Sequence, residues 1–133
     1  MIRLGSLAGY AFEGPRVLAG WTPPAAPGVF AILYPTRPDQ PASERLAVCY
    51  VGHADDLSAL GLPFRHPRAS CWIDRAGDRF GLRIATYDVP GGTAAHREQI
   101  VQELVAVYRP SCNERQYDQT WEPHWVGKDR PQQ

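Results

Sequence analysis

The stretches GVFAIL (28–33) and CYVGHADDL (49–57) decide which fold this sequence predicts. Each contains a short, almost wholly apolar run with a glycine at one end, although strand interiors usually avoid glycine. Prolines bound the first run, and the second, residues 46–51, closes at Gly52. Such runs are typical of strands that are covered on both faces. We therefore predict two strands joined as a hairpin, with the proline-rich connection 35–45 forming a surface loop.

Further segments predict one more strand and three helices. Residues 82–89 alternate in hydrophobicity, which indicates a third strand. Residues 94–108 predict the longest helix, because Thr93 can cap it, Pro110 ends it, and apolar side chains recur at steps of three and four. Shorter helices are predicted in HADDLSAL (53–60) and ASCWIDRAGD (69–78).

The length of 133 residues suits one domain with a single core. Residues 1–27 are rich in Gly and Pro and show no sustained period, so we predict an irregular N-terminal arm that packs Trp21 onto the domain. Residues 28–113 form the predicted domain. Residues 114–133 are predicted to be a tail anchored by Trp121 and Trp125.

The charge composition gives no sign of general attraction to a polyanion. The chain has 14 basic and 14 acidic residues and no net charge, so neither strong nucleic-acid attraction nor binding to an anionic membrane is implied. All basic residues except Lys128 are Arg, which suits bidentate phosphate contacts. A GC-rich genome produces the same bias, and we favour that explanation.

The cysteines and the apolar runs predict where the protein resides. Cys49, Cys71 and Cys112 are an odd number with no metal-ligand or disulfide spacing, so we expect buried reduced thiols. No apolar run is long enough to span a bilayer, and the N-terminus lacks the apolar core of a secretion signal. We therefore expect a cytoplasmic protein with no membrane partner.

Four segments, in this order, resemble the GIY-YIG nuclease superfamily. GVF (28–30) takes the place of the first motif and YVG (50–52) that of the second. HADDL (53–57) resembles the start of the family's first helix, and ELVAVYRPSCN (103–113) the end of its last. The resemblance implies an α/β fold, with a small three-stranded antiparallel sheet flanked by helices in the order β-β-α-α-β-α. It also implies that the glycines at the strand ends allow backbone groups and the hydroxyls of aromatic side chains to meet at one shallow site.

The resemblance implies a catalytic set that this sequence keeps only in part. In the family, a glutamate on the last helix holds a divalent metal, an arginine on the first helix steadies the phosphate, and the motif tyrosines help to activate water. The first tyrosine falls on Phe30, the arginine on Leu60 and the glutamate on Val101. None of these can perform the original task, since valine, for example, offers no oxygen to a hard cation. Tyr50 keeps the second tyrosine, and His53 beside it is the other catalytic candidate.

Substitutes for the missing groups lie nearby in the sequence. Glu98 is the candidate metal ligand if the protein is active. Arg65, His66 and Arg68 are candidate phosphate-binding residues, provided that their proline-broken segment folds back toward Tyr50.

These residues also have structural explanations that need no active site. Tyr50 is as readily a hydrogen-bonded core tyrosine, and His53 a solvated surface residue. Asp55 and Asp56 suit a helix start, while Arg97 and Glu98 suit a solvated helix face.

The sequence thus leaves three hypotheses for function. The preferred one is a GIY-YIG-like protein that has lost nuclease activity and binds DNA, RNA or a protein partner, with no cofactor. The second is a metal-dependent endonuclease with relocated catalytic residues, which would use Mg²⁺ or Mn²⁺. The third is an interaction or immunity-type protein with no nucleic-acid role, which the zero net charge favours.

Overall fold

The computed structural model describes residues 1–6, 9–36, 46–89 and 92–113. The strands are β1 (Ile2–Leu4), β2 (Tyr10–Val17), β3 (Gly28–Pro35), β4 (Leu46–Ala54) and β5 (Arg83–Tyr87). The helices are α1 (Ala69–Ala76) and α2 (Ala94–Tyr108), and single 3₁₀ turns lie at Leu57–Ala59, Arg79–Gly81 and Ser111–Asn113. The predicted surface loop, apart from its first two residues, and the predicted tail lie outside the described residues.

The strands form one antiparallel sheet in the order β1-β2-β5-β3-β4. The prediction of a three-stranded sheet with an irregular N-terminal arm is therefore wrong, because β1 and β2 extend the sheet beyond β5. The reason lies in β2, where the register shifts between Glu13 and Arg16 around the Gly14–Pro15 pair. That irregularity interrupts the alternation from which a strand is predicted.

The central strand β3 is hydrogen-bonded on both sides and covered on both faces, as its apolar sequence predicts. Its first seven residues are all buried. Val29, Ala31 and Leu33 face a core completed by α2. Phe30 and Ile32, pointing to the other face, belong to a second core, which α1 completes. The sheet therefore separates two packed layers, and the side a residue faces follows from its position in the strand.

The two α-helices agree with their predicted segments, but HADDLSAL does not form a two-turn helix. Thr93 caps α2 by accepting a hydrogen bond from the His96 N–H at 3.1 Å, as predicted. In HADDLSAL, β4 continues through Ala54, and only Leu57–Ala59 form a 3₁₀ turn. The Asp56 carboxylate accepts hydrogen bonds from both the backbone N–H and the hydroxyl of Ser58, which satisfies this short turn locally.

The turn Ser111–Asn113 attaches the end of the described chain to the rest of the fold. The Asn113 side chain accepts a hydrogen bond from the Val51 N–H and donates one to the Val51 carbonyl, both at 2.8 Å. Asn113 thus pairs with the outer edge of β4 as a neighbouring strand would.

The expectation of three reduced thiols is wrong. Cys71 of α1 is disulfide-bonded to Cys112 in the terminal turn, and Cys49 is a free, buried thiol. The two bonded residues are 41 positions apart in sequence. Their partnership arises from tertiary packing, and no local spacing pattern encodes it.

Neither helix in the described part of the chain has the length and apolar character that crossing a membrane requires. The cytoplasmic location stays a prediction, and the disulfide weighs against it because disulfides are rare in reducing compartments.

Replacing Asn113 with Ala should destabilise the protein by about 1–3 kcal/mol, since a part-buried backbone N–H and carbonyl lose their partners. Urea unfolding followed by circular dichroism measures the change. The control is Gln102→Ala, which removes only an exposed contact on α2 and should stay within about 0.5 kcal/mol of the parent. Equal stability of the two variants would contradict a structural role for the Asn113 pair.

Candidate phosphate-binding site

Tyr50 stands in a cluster of aromatic rings on the α1 side of the sheet. Its ring centroid lies 5.3 Å from that of His66 and 5.4 Å from that of Trp72. His66 stacks on Trp72 at 4.9 Å, and Phe30 lies 5.8 Å from Tyr50. Trp72 is fully buried, whereas Tyr50 and His66 are partly exposed. The cluster therefore has an apolar floor and polar groups at its rim.

The proline-broken segment does fold back toward Tyr50, which was the condition for its residues to join the site. The Arg65 N–H donates to the Gly61 carbonyl at 2.6 Å, and Gly61 has a φ of 80°, which favours glycine. This tight turn leads directly to His66 and Arg68. Arg65 is exposed and lines a separate cavity of about 430 Å³.

The environment fixes the protonation states of the polar rim. Burial raises the pKa of Tyr50, and Arg68 partly offsets this. The pKa of His66 is lowered, mainly by burial and then by the charge of Arg68. Both side chains are therefore neutral at neutral pH, next to a cationic guanidinium.

The hydrogen-bonding direction of His66 follows from its backbone contact. Its Nδ1 accepts a hydrogen bond from the Arg68 N–H at 3.0 Å. The neutral ring then carries its proton on Nε2 and can donate it. The rim thus offers the Tyr50 hydroxyl, the imidazole N–H and a guanidinium, a set suited to an anionic oxygen.

His53, the other catalytic candidate, lies on the opposite face of the sheet from Tyr50. It is paired with Val29, which belongs to the core under α2, and its Nε2 lies 2.7 Å from Glu98 Oε2. Glu98 is therefore a partner of His53, and the sheet separates it from Tyr50. Tyr50 and His53 do not share a site.

The three positions at which the family's catalytic residues are missing also lie on different faces of the sheet. Phe30 and Leu60 pack into the core on the α1 side, and Val101 is buried in the core under α2. Even a glutamate at residue 101 would be separated from Tyr50 by the sheet. Among the described residues no group of three or more His, Cys, Asp or Glu side chains could hold a metal ion.

Sequence reasoning misjudged one charged residue on α2. Arg97 was expected on a solvated face, but it is only 3% exposed and forms an ion pair with Asp55. The signal was available, because Arg97 precedes Val101 and Leu104 at helical spacing and so lies on the apolar stripe. Asp56, by contrast, caps its turn as expected.

The glycines at the ends of the two apolar runs are explained by close packing, which leaves no room for a side chain. A Cβ on Gly52 would lie 2.9 Å from ring carbons of both Phe30 and Tyr50. A Cβ on Gly28 would meet Leu57 at 3.2 Å and the Tyr87 carbonyl at 3.3 Å. Gly52 therefore allows the two rings of the site to lie over the strand, which any larger residue would obstruct.

Comparison with known proteins finds no family model, no curated protein and no solved structure that matches this chain.

The pKa of His66 should fall below the ordinary histidine value of 6.5 when its ring is titrated by NMR. In Arg68→Met the pKa should rise but stay below that value, because burial is the larger cause. Because of this lowered pKa, the free energy of unfolding should decrease as the pH falls below the pKa that His66 has in the unfolded chain, since the unfolded chain then binds a proton that the folded protein does not. A midpoint at or above the ordinary value would contradict the described burial of His66.

Replacing Gly52 with Ala should cost about 1–3 kcal/mol of stability, because Phe30 and Tyr50 must move away from the new methyl group. Thermal unfolding and the NMR signals of the Tyr50 ring report the effect. Gly81→Ala is the matched control, as its Cβ would meet nothing closer than 4.0 Å. A parent-like Gly52→Ala protein would show that the rings do not lie where the structure has them.

Proposed function

We propose that this protein is a nucleic-acid-binding module, related to the GIY-YIG nucleases, that binds a backbone phosphate without cutting it. The observation that carries the proposal is the meeting of Tyr50, His66 and Arg68 at the rim of one aromatic cluster. A hydroxyl, an imidazole N–H and a guanidinium are the donors that proteins use for phosphate oxygens.

The charges around the cluster support binding of an anion. The charge of Arg68 lowers the pKa of both Tyr50 and His66, so its guanidinium acts on both polar groups of the cluster. A phosphate held at the cluster would lie near the Arg68 guanidinium, although the chain as a whole has no net charge. Binding should therefore be local and moderate, without long-range steering by a basic surface.

The same geometry argues against cleavage by relocated residues. Metal-assisted hydrolysis needs the cation to contact the same phosphate that the hydrogen-bond donors hold. Glu98, the candidate metal ligand, is paired with His53 across the sheet from Tyr50. A metal at Glu98 would not reach a phosphate bound at Tyr50, so we propose binding without hydrolysis.

Arg68→Met should weaken binding to a labelled DNA duplex about tenfold and lower the slope of log affinity against log salt by about one. Fluorescence anisotropy over a salt series measures both quantities. The control is Arg16→Met, which removes the same charge from an exposed position on β2 and should change affinity less than about twofold.

The second readout is a gel of labelled duplex, branched and single-stranded DNA after incubation with the protein and Mn²⁺. We expect shifted bands and no shortened ones. Shortened bands that disappear with chelator would overturn the proposal in favour of an endonuclease. Equal effects of the two arginine variants, or no binding at all, would favour a protein that acts through another partner.

A further inference from the structure

All three cysteines of the chain meet on the α1 side of the sheet. Cys71 and Cys112 form the disulfide, and the Cys49 Sγ lies 3.5 Å from the Cys112 Sγ. Cys49 and Cys112 have no solvent exposure, while Cys71 is partly exposed. A free thiol is thus held in van der Waals contact with one sulfur of a disulfide.

Independent features of the fold position the three residues. Cys49 is the unpaired residue of a bulge in β4, because Ile32 pairs with Tyr50 and the next residue of β3 pairs with Val48. Cys112 precedes Asn113, whose side chain binds the backbone of β4. The hydrogen bonds of Asn113 therefore hold Cys112 beside Cys49 without any help from the disulfide.

We propose that these cysteines form a thiol–disulfide exchange site, in which Cys112 is bonded alternately to Cys71 and to Cys49. The Cys49 thiolate attacks the Cys112 sulfur, the Cys49–Cys112 bond forms, and the Cys71–Cys112 bond breaks. Cys71 leaves as a thiolate and takes up the proton that Cys49 lost to solvent. One disulfide replaces another, so the step needs neither oxidant nor reductant.

The surroundings of Cys49 make the exchange slow at neutral pH. Burial raises the pKa of the Cys49 thiol to about 12, and the charge of Arg75 opposes this shift. Arg75 of α1 is the charged group that acts on Cys49. Cys49 in turn contributes to raising the pKa of Tyr34 of β3, which Arg75 also hydrogen-bonds. Because the thiolate is the attacking species, the rate should increase about tenfold per pH unit well below that pKa.

The exchange would change how the proposed phosphate site is held. In the present pairing, α1 is covalently attached to the terminal turn next to β4 through Cys71. Arg68 directly precedes α1, and Trp72 follows Cys71. Pairing of Cys112 with Cys49 releases this attachment. This consequence for binding, unlike the exchange itself, rests on the proposed function.

The exchange is tested by locating the free thiol over time. The folded wild-type protein is held without added thiol at about pH 7, 8 and 9, quenched in acid, labelled with a maleimide under denaturing conditions and digested with pepsin. Mass spectrometry then identifies the labelled cysteine. We expect the label on Cys49 at first and increasingly on Cys71, faster at each higher pH. Label confined to Cys49 at every pH, with native circular dichroism, would overturn the proposal.

Two serine variants give an independent check. Cys71→Ser leaves Cys49 and Cys112 as the remaining pair, and treatment with diamide should join them in the folded protein. Cys49→Ser keeps the Cys71–Cys112 disulfide and, having no free thiol, should take up no label at any pH. If diamide leaves both thiols of folded Cys71→Ser free, the pairing with Cys49 is refuted. Should Cys71→Ser not fold, the wild-type label series decides alone.

DNA binding separates this proposal from the preceding one. The oxidised Cys71→Ser protein should bind duplex DNA about five-fold or more weakly than Cys49→Ser. Transfer of the label with no DNA binding by either variant would uphold exchange and reject the phosphate site. Equal DNA affinity of the two variants would reject the link between them, whereas an immobile label would reject exchange whatever the affinity.

Discussion

The central strand β3 is the constraint on which the rest of the structure depends. It is hydrogen-bonded to β4 and β5, and its alternate side chains enter two different cores. A strand buried on both faces cannot shift by one residue without exchanging the two sets of side chains. Val29, Ala31 and Leu33 therefore determine where α2 packs, and Phe30 and Ile32 determine what lies on the α1 side.

The same alternation divides the polar residues into two groups that cannot act together. Tyr50 and His53 are three residues apart on β4, and an odd separation along a strand places side chains on opposite faces. Tyr50 is consequently grouped with His66 and Arg68. His53 is grouped with Glu98, and Arg97 pairs with Asp55. The first group suits anion binding, whereas the residues of the second group are already paired with each other.

Much of the inner fold could be predicted because its signals are local. The apolar runs of β3 and β4, and the spacing of α2, follow from the periodicity of their own residues. The strand β2 could not be found in this way, since the Gly14–Pro15 pair interrupts its register. The disulfide was missed for a different reason. Cys71 and Cys112 become neighbours only after α1 and the terminal turn pack on the same side of the sheet.

The candidate site could also be predicted only in part, because it depends on how distant segments pack together. Tyr50 was identified from a motif, and His66 and Arg68 were identified only on the condition that a chain segment folds back. That condition depends on a turn at Gly61, which the sequence suggests, and on the direction in which the chain leaves it, which the sequence does not specify. The error of grouping Tyr50 with His53 was avoidable, because strand alternation alone separates them.

The division of the sheet also determines which changes could ever give this protein a metal site beside its phosphate donors. A carboxylate on the buried face of α2 would lie in the core that contains Val101 and Leu104, so no substitution on that face brings an oxygen near Tyr50. The ligand would have to come from α1 or from the segment between Gly61 and Arg68, which lie on the correct face. Those elements already hold Trp72 and His66 in contact with Tyr50, and a buried carboxylate there would have to displace an aromatic ring. This packing therefore supports our proposal of binding without cleavage.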